Sequence, residues 1–323
     1  MKIGVIGGGA WGTALAQVAA RGGAPVLLWA REAEVVASIN HGHENTRFLA
    51  GIALPESIHA TDSLGDISDC DALLVVVPAQ HVRAVLAETA VGATPLVLCA
   101  KGIEAGTQLL VGEVAHALHP RAPIAVLSGP TFAHEVAAGR PTAVTLACAD
   151  EALGAALAER LGGPTFRPYA STDVIGAEIG GAVKNVLAIA CGVVEGAGLG
   201  HNARAALIAR GFAEMVRFGI ARGAQVETLS GLSGLGDLVL TCSSTSSRNF
   251  SLGMGLGQGK RAADLLADRL TVAEGAFTAP VLREAAGEAG VDMPVVEAVC
   301  ALLAGSDVHA VIDALLARPL TRE

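Results

Sequence analysis

The feature that most constrains this chain is its amino terminus, where a strand, a glycine-rich turn and a helix follow one another. Lys2–Ile6 is a short apolar run, Gly7–Gly12 has the spacing G-x-G-x-x-G, and Thr13–Arg21 has a helical pattern. In such a turn the first glycine permits the bend, the second admits a pyrophosphate and the third lets the helix pack closely. The segment therefore predicts the start of a Rossmann-type sheet with a dinucleotide at the helix N-terminus.

Short apolar runs alternate with helical patterns through the rest of the first half. The further predicted strands are Val26–Trp29, Ala72–Val77, Leu96–Cys99, Ile124–Ser128 and Ala143–Cys148. These runs are apolar on both faces, and helical stretches such as Ala79–Thr89 separate most of them. The pattern predicts an α/β fold, a doubly wound and largely parallel sheet with helices on both faces.

From about residue 172 the pattern becomes helical. The predicted helices are Asp173–Ala197, Ala203–Ala221, Ala262–Asp268, Ala279–Ala289, Pro294–Ala304 and Val308–Ala317. A chain of 323 residues is long enough for two hydrophobic cores. We therefore predict a dinucleotide-binding domain over residues 1–171 and an all-helical substrate domain over residues 172–323. The polar cluster Thr241–Ser247 is interpreted as a loop inside the second domain.

Composition narrows the possible partners. The net charge is −9 and no basic stripe is present, so neither nucleic-acid binding nor anchoring to a membrane surface is expected. The six cysteines are scattered without metal-ligand spacing, which predicts no metal site and is typical of free thiols in a reducing compartment. The apolar amino terminus is interrupted by Gly7–Gly9, unlike a signal peptide, and a cytoplasmic protein without membrane insertion is expected.

Lys184 is the most conspicuous charged residue, because it lies in the otherwise small and apolar stretch Gly180–Ala190. An ammonium is costly to bury without a partner, and burial can bring a lysine pKa toward neutrality. Lys184 is therefore a candidate proton donor and acceptor. The alternative is a lysine that extends to the surface from a partly buried helix. Gly180 and Ala188, one turn before and after, are expected to leave room for a ligand beside the ammonium.

The residues at the end of the second predicted strand indicate whether the protein prefers NAD or NADP. An acidic residue directly at this strand end would bind the adenosine ribose and favour NAD. Here Arg31 precedes Glu32, and a guanidinium at that place can pair with a 2′-phosphate. We therefore expect NADPH to be preferred and NADH to be tolerated. The alternative is a solvent-facing arginine beside Glu32.

Charged and hydroxyl side chains mark four other places in the chain as candidate site residues. Lys101 and Ser128–Ala133 follow predicted strands, at the edge that faces the ligand in open α/β sheets. Asp237 is a single acid in a glycine-rich apolar turn, where helix capping is its alternative role. The segment Ser247–Asn249 closes the hydroxyl cluster and is suited to holding a phosphate.

Together these blocks resemble the NAD(P)-dependent sn-glycerol-3-phosphate dehydrogenases of the bacterial biosynthetic type. The matching blocks, in the family's order, are Gly7–Thr13, Lys101–Ile103, Leu127–Val136, Gly180–Asn185, Ser230–Asp237, Ser247–Asn249 and Val272–Gly275. The resemblance implies interconversion of dihydroxyacetone phosphate and sn-glycerol 3-phosphate by hydride transfer at C2, with NADP or NAD as cofactor. It further implies supply of glycerol 3-phosphate for phospholipid synthesis. A homodimer is compatible with the resemblance, although no stretch identifies its interface.

The resemblance also implies roles for individual residues. The implied catalytic residues are Lys184, as proton acceptor, with Lys101 and Asp237. The implied substrate contacts are Lys101, Gly129, Thr131, Lys184, Asn185, Asp237, Ser247, Arg248 and Asn249. The implied cofactor contacts are Gly7, Gly9, Ala10, Trp11, Gly12, Arg31, Lys101, Ala133, Arg248, Val272 and Glu274.

Two other classes of protein remain alternatives. The 3-hydroxyacid and 6-phosphogluconate dehydrogenases share a Rossmann domain, a helical domain and a helix lysine. In those enzymes an asparagine follows the lysine one turn later, where this chain has Ala188 and places Asn185 next to the lysine instead. A non-catalytic dinucleotide-sensing protein would need the cofactor glycines, but neither Lys184 nor the phosphate-binding segment.

Overall fold

The computed structural model describes residues 1–267 and 273–319, and the chain forms two compact units. The first unit comprises Met1–Lys101 and Leu109–Glu178, and the second comprises Gly102–Gln108 and Ile179–Glu323. Apart from Gly102–Gln108, the change from one unit to the other lies between Glu178 and Ile179, near the predicted boundary between residues 171 and 172. The sequence shows where the helical pattern begins, but the helix that starts at Val174 contributes its first residues to the first unit.

An eight-stranded sheet forms the centre of the first unit. Its strands are β1 (Ile3–Ile6), β2 (Val26–Trp29), β3 (Ile58–Thr61), β4 (Ala72–Val75), β5 (Leu96–Leu98), β6 (Ile124–Ser128), β7 (Thr142–Cys148) and β8 (Phe166–Ser171). The strand order is β3-β2-β1-β4-β5-β6-β7-β8, and every neighbouring pair is parallel except β6 with β7. The predicted doubly wound, largely parallel sheet is confirmed.

Helices cover both faces of this sheet. They are α1 (Ala10–Ala19), α2 (Ala33–Gly42), α3 (Val82–Ala87), α4 (Val111–Leu118), α5 (Ala133–Ala137) and α6 (Glu151–Leu161). Along β4, Ala72 and Leu74 belong to one hydrophobic cluster, whereas Leu73 and Val75 belong to another. Because successive strand residues point to opposite faces, the two clusters are the two sides of the sheet. This burial on both faces explains why the central strands are apolar throughout.

Two strands, β3 and β8, are not among those predicted from the sequence. Both lie at the edges of the sheet. β3 exposes His59, and β8 exposes Arg167 and Tyr169 on either side of Pro168. Edge strands tolerate polar residues and proline, because one side of the strand has no partner. Their sequences therefore lack the continuous apolar character used to recognise the central strands.

From Ile179 onward, the regular secondary structure of the described residues is entirely helical, whereas Gly102–Gln108 contains no helix. The helices of the second unit are α7 (Val174–Gly196, entering from the first unit), α8 (Gly200–Ala221), α9 (Val226–Leu229), α10 (Asp237–Thr241), α11 (Arg248–Gly257), α12 (Ala262–Leu265), α13 (Glu274–Glu288), α14 (Pro294–Leu303) and α15 (Val308–Leu316). The all-helical second part is thus confirmed. The predicted helix over residues 262–268 ends at Leu265, and its last residue lies outside the described residues. The hydroxyl cluster Thr241–Ser247 joins α10 to α11 within the unit.

Helix α7 is the central element of this unit. Among the described helices it alone has the length and apolarity needed to cross a membrane, yet 89% of its most apolar window is buried inside the protein. Residues 176–194 are all buried, which is the pattern of a core helix. Lys184 and Asn185 lie in the middle of this buried stretch.

Helices α7 and α11 pack backbone against backbone. A Cβ atom at Gly192 or Gly196 of α7 would overlap the backbone of α11, and one at Gly253 or Gly257 of α11 would overlap α7. A spacing of four residues places each pair of glycines on one helix face. Because no side chain separates the two helices, the position of α11 relative to α7 is tightly fixed.

Candidate active site

The glycine turn lies between β1 and α1, at the carboxyl edge of the parallel strands. Gly7 has φ of +128°, which favours glycine, and a Cβ at Gly12 would overlap the carbonyl oxygen of Gly7. A Cβ at Gly9 would meet nothing within 4 Å, so the turn is open there. β1 lies beside β4, where the strand order reverses, and ligands of open α/β sheets bind at such a point.

The groups around this turn fit the phosphates of a dinucleotide. Ala10 and Trp11 begin α1, whose first turn contains no acidic residue. Trp11 Nε1 is a buried donor that has no hydrogen-bond partner in the described part of the chain. A helix N-terminus with unpaired N–H groups favours an anionic ligand. The turn Gly7–Gly12 and Trp11 could therefore hold the pyrophosphate.

Arg31 follows β2 at the same edge. Its side chain is 79% exposed, and Nη2 lies 3.2 Å from Glu32 Oε1. Such an exposed pair contributes at most about 1 kcal/mol, so it would compete weakly with a phosphate ligand. The geometry is compatible with both sequence interpretations of Arg31.

Lys101, Gly129 and Thr131 come together at the ends of β5 and β6. Lys101 Nζ donates to the carbonyl oxygen of Gly129 at 3.2 Å, and Thr131 Oγ1 donates to the same oxygen at 3.3 Å. A Cβ at Gly129 would lie 2.9 Å from Val144 Cα, so only glycine fits there without a shift. Ala133 begins α5 two residues after Thr131.

The second unit holds a buried ion pair. Lys184 Nζ lies 2.7 Å from Asp237 Oδ1 and 2.9 Å from Thr241 Oγ1. Thr241 Oγ1 in turn lies 3.2 Å from Asp237 Oδ1, within hydrogen-bonding distance. The Lys184 side chain is 8% exposed and that of Asp237 is fully buried. Lys184 is therefore a buried, paired ammonium and does not extend into bulk solvent.

The turn before α10 explains how Asp237 reaches Lys184. Leu232–Gly236 forms a π-helical turn, a rare conformation that is frequent at functional sites. A Cβ at Gly180 of α7 would lie 2.5 Å from the carbonyl oxygen of Ser233. The expectation that Gly180 leaves room for a ligand is therefore wrong, because the backbone of this turn fills the space. The same contact brings Asp237 against Lys184.

Two other possible roles near Lys184 can be checked: Asp237 as a helix cap and Cys242 as a base. Asp237 is the first residue of α10, and Gly236 occupies the N-cap position, so Asp237 is not the N-cap residue of this helix. A hydrogen bond with Cys191, together with burial, raises the pKa of Cys242 well above its usual range. That thiol therefore stays protonated and does not act as a base. All six cysteines are free and buried.

The predicted phosphate segment forms the start of α11. Ser247 is its N-cap residue, and Ser247 Oγ accepts from the backbone N–H of Phe250 at 3.2 Å. Arg248 is exposed and forms no ion pair in the described residues. A helix N-terminus next to an unpaired guanidinium is suited to a phosphate.

A chain of hydrogen bonds joins three helices beside the lysine. Asn249 Nδ2 donates to Asn185 Oδ1 at 3.0 Å, and the backbone N–H of Gly275 donates to Asn249 Oδ1 at 2.9 Å. Glu274 precedes Gly275 at the start of α13 and is half-buried. Val272, a predicted cofactor contact, lies outside the described residues.

Thr241 is the site residue that the sequence interpretation missed. It appeared only as the first member of a hydroxyl cluster. The available signal was its spacing, because a residue four positions after Asp237 lies on the same face of a helix. The structure thus places Lys184, Asp237 and Thr241 together, and separately places Asn185, Asn249 and Gly275 together.

This fold and these sites define a dinucleotide-dependent dehydrogenase with a helical second unit. Two family models match the chain: the N-terminal part of NAD-dependent glycerol-3-phosphate dehydrogenase over residues 2–154, and its C-terminal part over residues 173–313. The chain therefore belongs to the NAD(P)-dependent glycerol-3-phosphate dehydrogenase family. It is an enzyme that uses NAD or NADP and acts on a small phosphorylated substrate.

Individual relatives agree with this assignment. The chain is 64% identical over its full length to glycerol-3-phosphate dehydrogenase [NAD(P)+] 1 of Sphingopyxis alaskensis, covering 98% of that protein. It is also 64% identical to the Erythrobacter litoralis enzyme, with 100% and 98% coverage of the two chains. The crystal structure of glycerol-3-phosphate dehydrogenase from Coxiella burnetii superposes with a TM-score of 0.93 at 38% identity, covering 98% and 99% of the two chains. Neither a hydroxyacid dehydrogenase nor a non-catalytic protein is favoured.

Proposed function

We propose that this enzyme mainly reduces dihydroxyacetone phosphate to sn-glycerol 3-phosphate, with Lys184 as the residue that protonates the C2 oxygen. The observation that carries the proposal is the buried Lys184–Asp237 pair, which has a further hydroxyl at Thr241. The Asp237 carboxylate stabilises this ammonium inside an otherwise apolar helix. A purely stabilising role does not explain why the core contains this ion pair, because well-packed apolar residues often stabilise a core as well or better.

When bound, the cofactor would supply a hydride for C2 of the substrate. Lys184 Nζ then gives one proton to the C2 oxygen, and the ammonium becomes a neutral amine. In the oxidation direction the amine takes the same proton from the C2 hydroxyl. Asp237 Oδ1 and Thr241 Oγ1 hold Nζ in place, and the positive charge stabilises the negative charge that develops on oxygen.

The substrate is held by two further sets of residues. We assign Lys101, Gly129 and Thr131 to the three-carbon part of the substrate. We assign the phosphate to the Arg248 guanidinium and to the start of α11, Ser247–Asn249. An arginine at a helix N-terminus can hold two phosphate oxygens, while backbone N–H groups hold another.

The cofactor is assigned to the glycine turn and to a set of residues carried over from the family. The proposed cofactor contacts are Gly7, Gly9, Ala10, Trp11, Gly12, Arg31, Lys101, Ala133, Arg248, Val272 and Glu274. Arg31 supports a preference for NADPH over NADH, because its exposed guanidinium can pair with a 2′-phosphate. We also propose that the enzyme works in the cytoplasm, forms a homodimer and supplies phospholipid synthesis.

Steady-state assays at 340 nm test this function. We expect oxidation of NADPH with dihydroxyacetone phosphate and a lower kcat/KM with NADH. Rapid oxidation with a 3-keto acid and none with dihydroxyacetone phosphate would instead indicate a hydroxyacid dehydrogenase. Arg248→Ala is expected to raise KM for dihydroxyacetone phosphate at least about tenfold, since a charge-assisted contact is lost. An unchanged KM would remove Arg248 from phosphate binding.

A further inference from the structure

One asparagine outside the glycine turn uses its whole side-chain amide to hold that turn. Asn45 lies between α2 and β3 and is fully buried. Its Nδ2 donates to the carbonyl oxygen of Gly8 at 2.8 Å and to Thr13 Oγ1 at 2.8 Å. Its Oδ1 accepts the N–H of Phe48 at 3.1 Å. Both amide hydrogens and the amide oxygen of Asn45 are therefore bonded within the first unit.

The direction of each of these hydrogen bonds is fixed. The Phe48 N–H can only donate and the Gly8 carbonyl can only accept, so the side-chain amide of Asn45 has one orientation. Because Thr13 Oγ1 accepts from Asn45, the hydroxyl hydrogen donates elsewhere, to the carbonyl oxygen of Gly9 at 2.9 Å. Asn45 thus holds one carbonyl of the turn directly and the next one through the threonine hydroxyl.

These two carbonyls determine where the next two N–H groups point. In a planar trans peptide the carbonyl and the N–H that follows it point in opposite directions. The peptide bonds after Gly8 and Gly9 are trans. The N–H groups of Gly9 and Ala10 therefore point away from the Asn45 side of the turn. A Cβ at Gly9 would meet nothing within 4 Å, so the turn is open to a ligand at this residue.

The segment that carries Asn45 is itself anchored to the core. The N–H of Leu54 donates to the carbonyl oxygen of His43 at 2.7 Å, which closes the segment at its two ends. Within it, the N–H of Leu49 donates to the backbone carbonyl of Asn45 at 2.9 Å. Leu49 and Leu54 are buried in the hydrophobic cluster on one side of the sheet. Asn45 therefore has little freedom to move away from the turn.

We propose that Asn45 is a positioning residue for the cofactor, because it keeps the Gly9 and Ala10 N–H groups directed at the pyrophosphate. The inference rests on the proposed function, which assigns the pyrophosphate to the glycine turn. Asn45 acts without touching the cofactor, since its side-chain polar atoms all bond within the protein. A turn that already has its binding conformation loses little freedom when the cofactor binds, and affinity is higher for that reason.

Asn45→Ala tests the proposal because it removes the hydrogen bonds to Gly8 and Thr13. We expect the dissociation constant for NADPH, measured by titration of nicotinamide fluorescence, to rise at least about tenfold, since two buried hydrogen bonds are lost. The KM for NADPH should rise in parallel, whereas kcat and the KM for dihydroxyacetone phosphate at saturating NADPH should stay within about threefold of wild type. A dissociation constant within about threefold of wild type would overturn the proposal. An equal rise in both KM values would also overturn it.

The matched control is Asn40→Ala. Asn40 on α2 also exchanges two hydrogen bonds with the backbone, but with Ala60 on β3 instead of the glycine turn, at 2.9 and 2.8 Å. We expect this variant to bind NADPH within about twofold of the wild type, because its lost hydrogen bonds do not orient the turn. A loss of affinity as large as that of Asn45→Ala would assign the effect to general weakening of the unit and would overturn the proposal.

Two substitutions of Thr13 provide a test that does not depend on Asn45→Ala being folded. Thr13→Val replaces the hydroxyl by a methyl group of similar size, so the Asn45 amide and the Gly9 carbonyl each lose a side-chain partner. Thr13→Ser retains the hydroxyl. We expect Thr13→Val to raise the dissociation constant for NADPH at least about fivefold and Thr13→Ser to stay within about twofold of wild type. Equal affinities of these two variants for NADPH would contradict the proposed role.

The dissociation constants also separate this inference from the proposed function. A wild-type enzyme that binds NADPH but does not reduce dihydroxyacetone phosphate refutes the proposed reaction, and the affinities of the variants still decide the role of Asn45. With an active wild type, unchanged NADPH binding in both Asn45→Ala and Thr13→Val refutes the role of Asn45 alone. The urea midpoint of each variant shows whether it is folded, and should Asn45→Ala fail to fold, the two Thr13 variants decide the question.

Discussion

Replacing Asp237 by asparagine isolates the contribution of the buried ion pair. The Lys184 ammonium lies 2.7 Å from Asp237 Oδ1, and the two side chains are 8% and 0% exposed. At an effective dielectric constant of about 20, unit charges at this separation attract by about 6 kcal/mol. Asparagine retains the shape of the side chain and an oxygen for Thr241, but it removes the compensating charge. We therefore expect Asp237→Asn to lower the free energy of unfolding by about 3–5 kcal/mol.

Equilibrium urea denaturation measures this loss, and the 340 nm assay measures its effect on turnover. We expect kcat to fall at least about 100-fold, because the ammonium is no longer held where the C2 oxygen needs its proton. The matched control is the double variant Lys184→Met with Asp237→Asn. Removing both charges should restore stability to within about 2 kcal/mol of wild type, while activity stays absent.

An Asp237→Asn variant that is as stable as the wild type to within about 1 kcal/mol would contradict this prediction. A double variant that is no more stable than Asp237→Asn would also contradict it. Either result would mean that the lysine is not an uncompensated buried charge when its carboxylate is removed.

Two further predictions concern hydrogen bonds to buried groups. Thr241→Val removes the hydroxyl that lies 2.9 Å from Lys184 Nζ, and we expect kcat to fall about tenfold, whereas Thr241→Ser should stay near wild type. Glu214 accepts the N–H of Val295 at 2.8 Å, and burial raises the pKa of this carboxyl to about 7. Because the folded pKa lies above the unfolded value of about 4.5, the stabilising contribution is complete below pH 4.5 and is lost as the pH rises through 7. Relative to Glu214→Gln, the wild type should lose about 3 kcal/mol between these limits in urea denaturation, and a gain would refute the assignment.

The central strands of the sheet and the glycine turn could be predicted from the sequence for a physical reason. Strands buried on both faces, such as β1 and β4, are continuous apolar runs, and the glycine turn has a fixed spacing. The two edge strands carry exposed polar residues and a proline, so the same criterion passes over them. Helix α11 was missed because Gly253 and Gly257 weaken its helical pattern, although they are what allows it to pack on α7.

The sequence predicted which residues belong to the candidate site, but not the contacts between them. Lys184 and Asp237 stand out because each is a single charge in an apolar segment. Their pairing joins residues 53 positions apart, and no local pattern encodes such a contact. The space beside Gly180 was misjudged for the same reason, since the backbone that fills it comes from Ser233. The bond between Asn185 and Asn249 likewise depends on how α7 and α11 pack.

Lys184→Ala tests the central claim most directly, with NADPH binding and turnover measured on the same preparation. We predict a dissociation constant for NADPH within about threefold of wild type and a kcat for dihydroxyacetone phosphate reduced by about 10²- to 10⁴-fold. A kcat close to that of the wild type would contradict it, because some other group would then have to deliver the proton to the C2 oxygen.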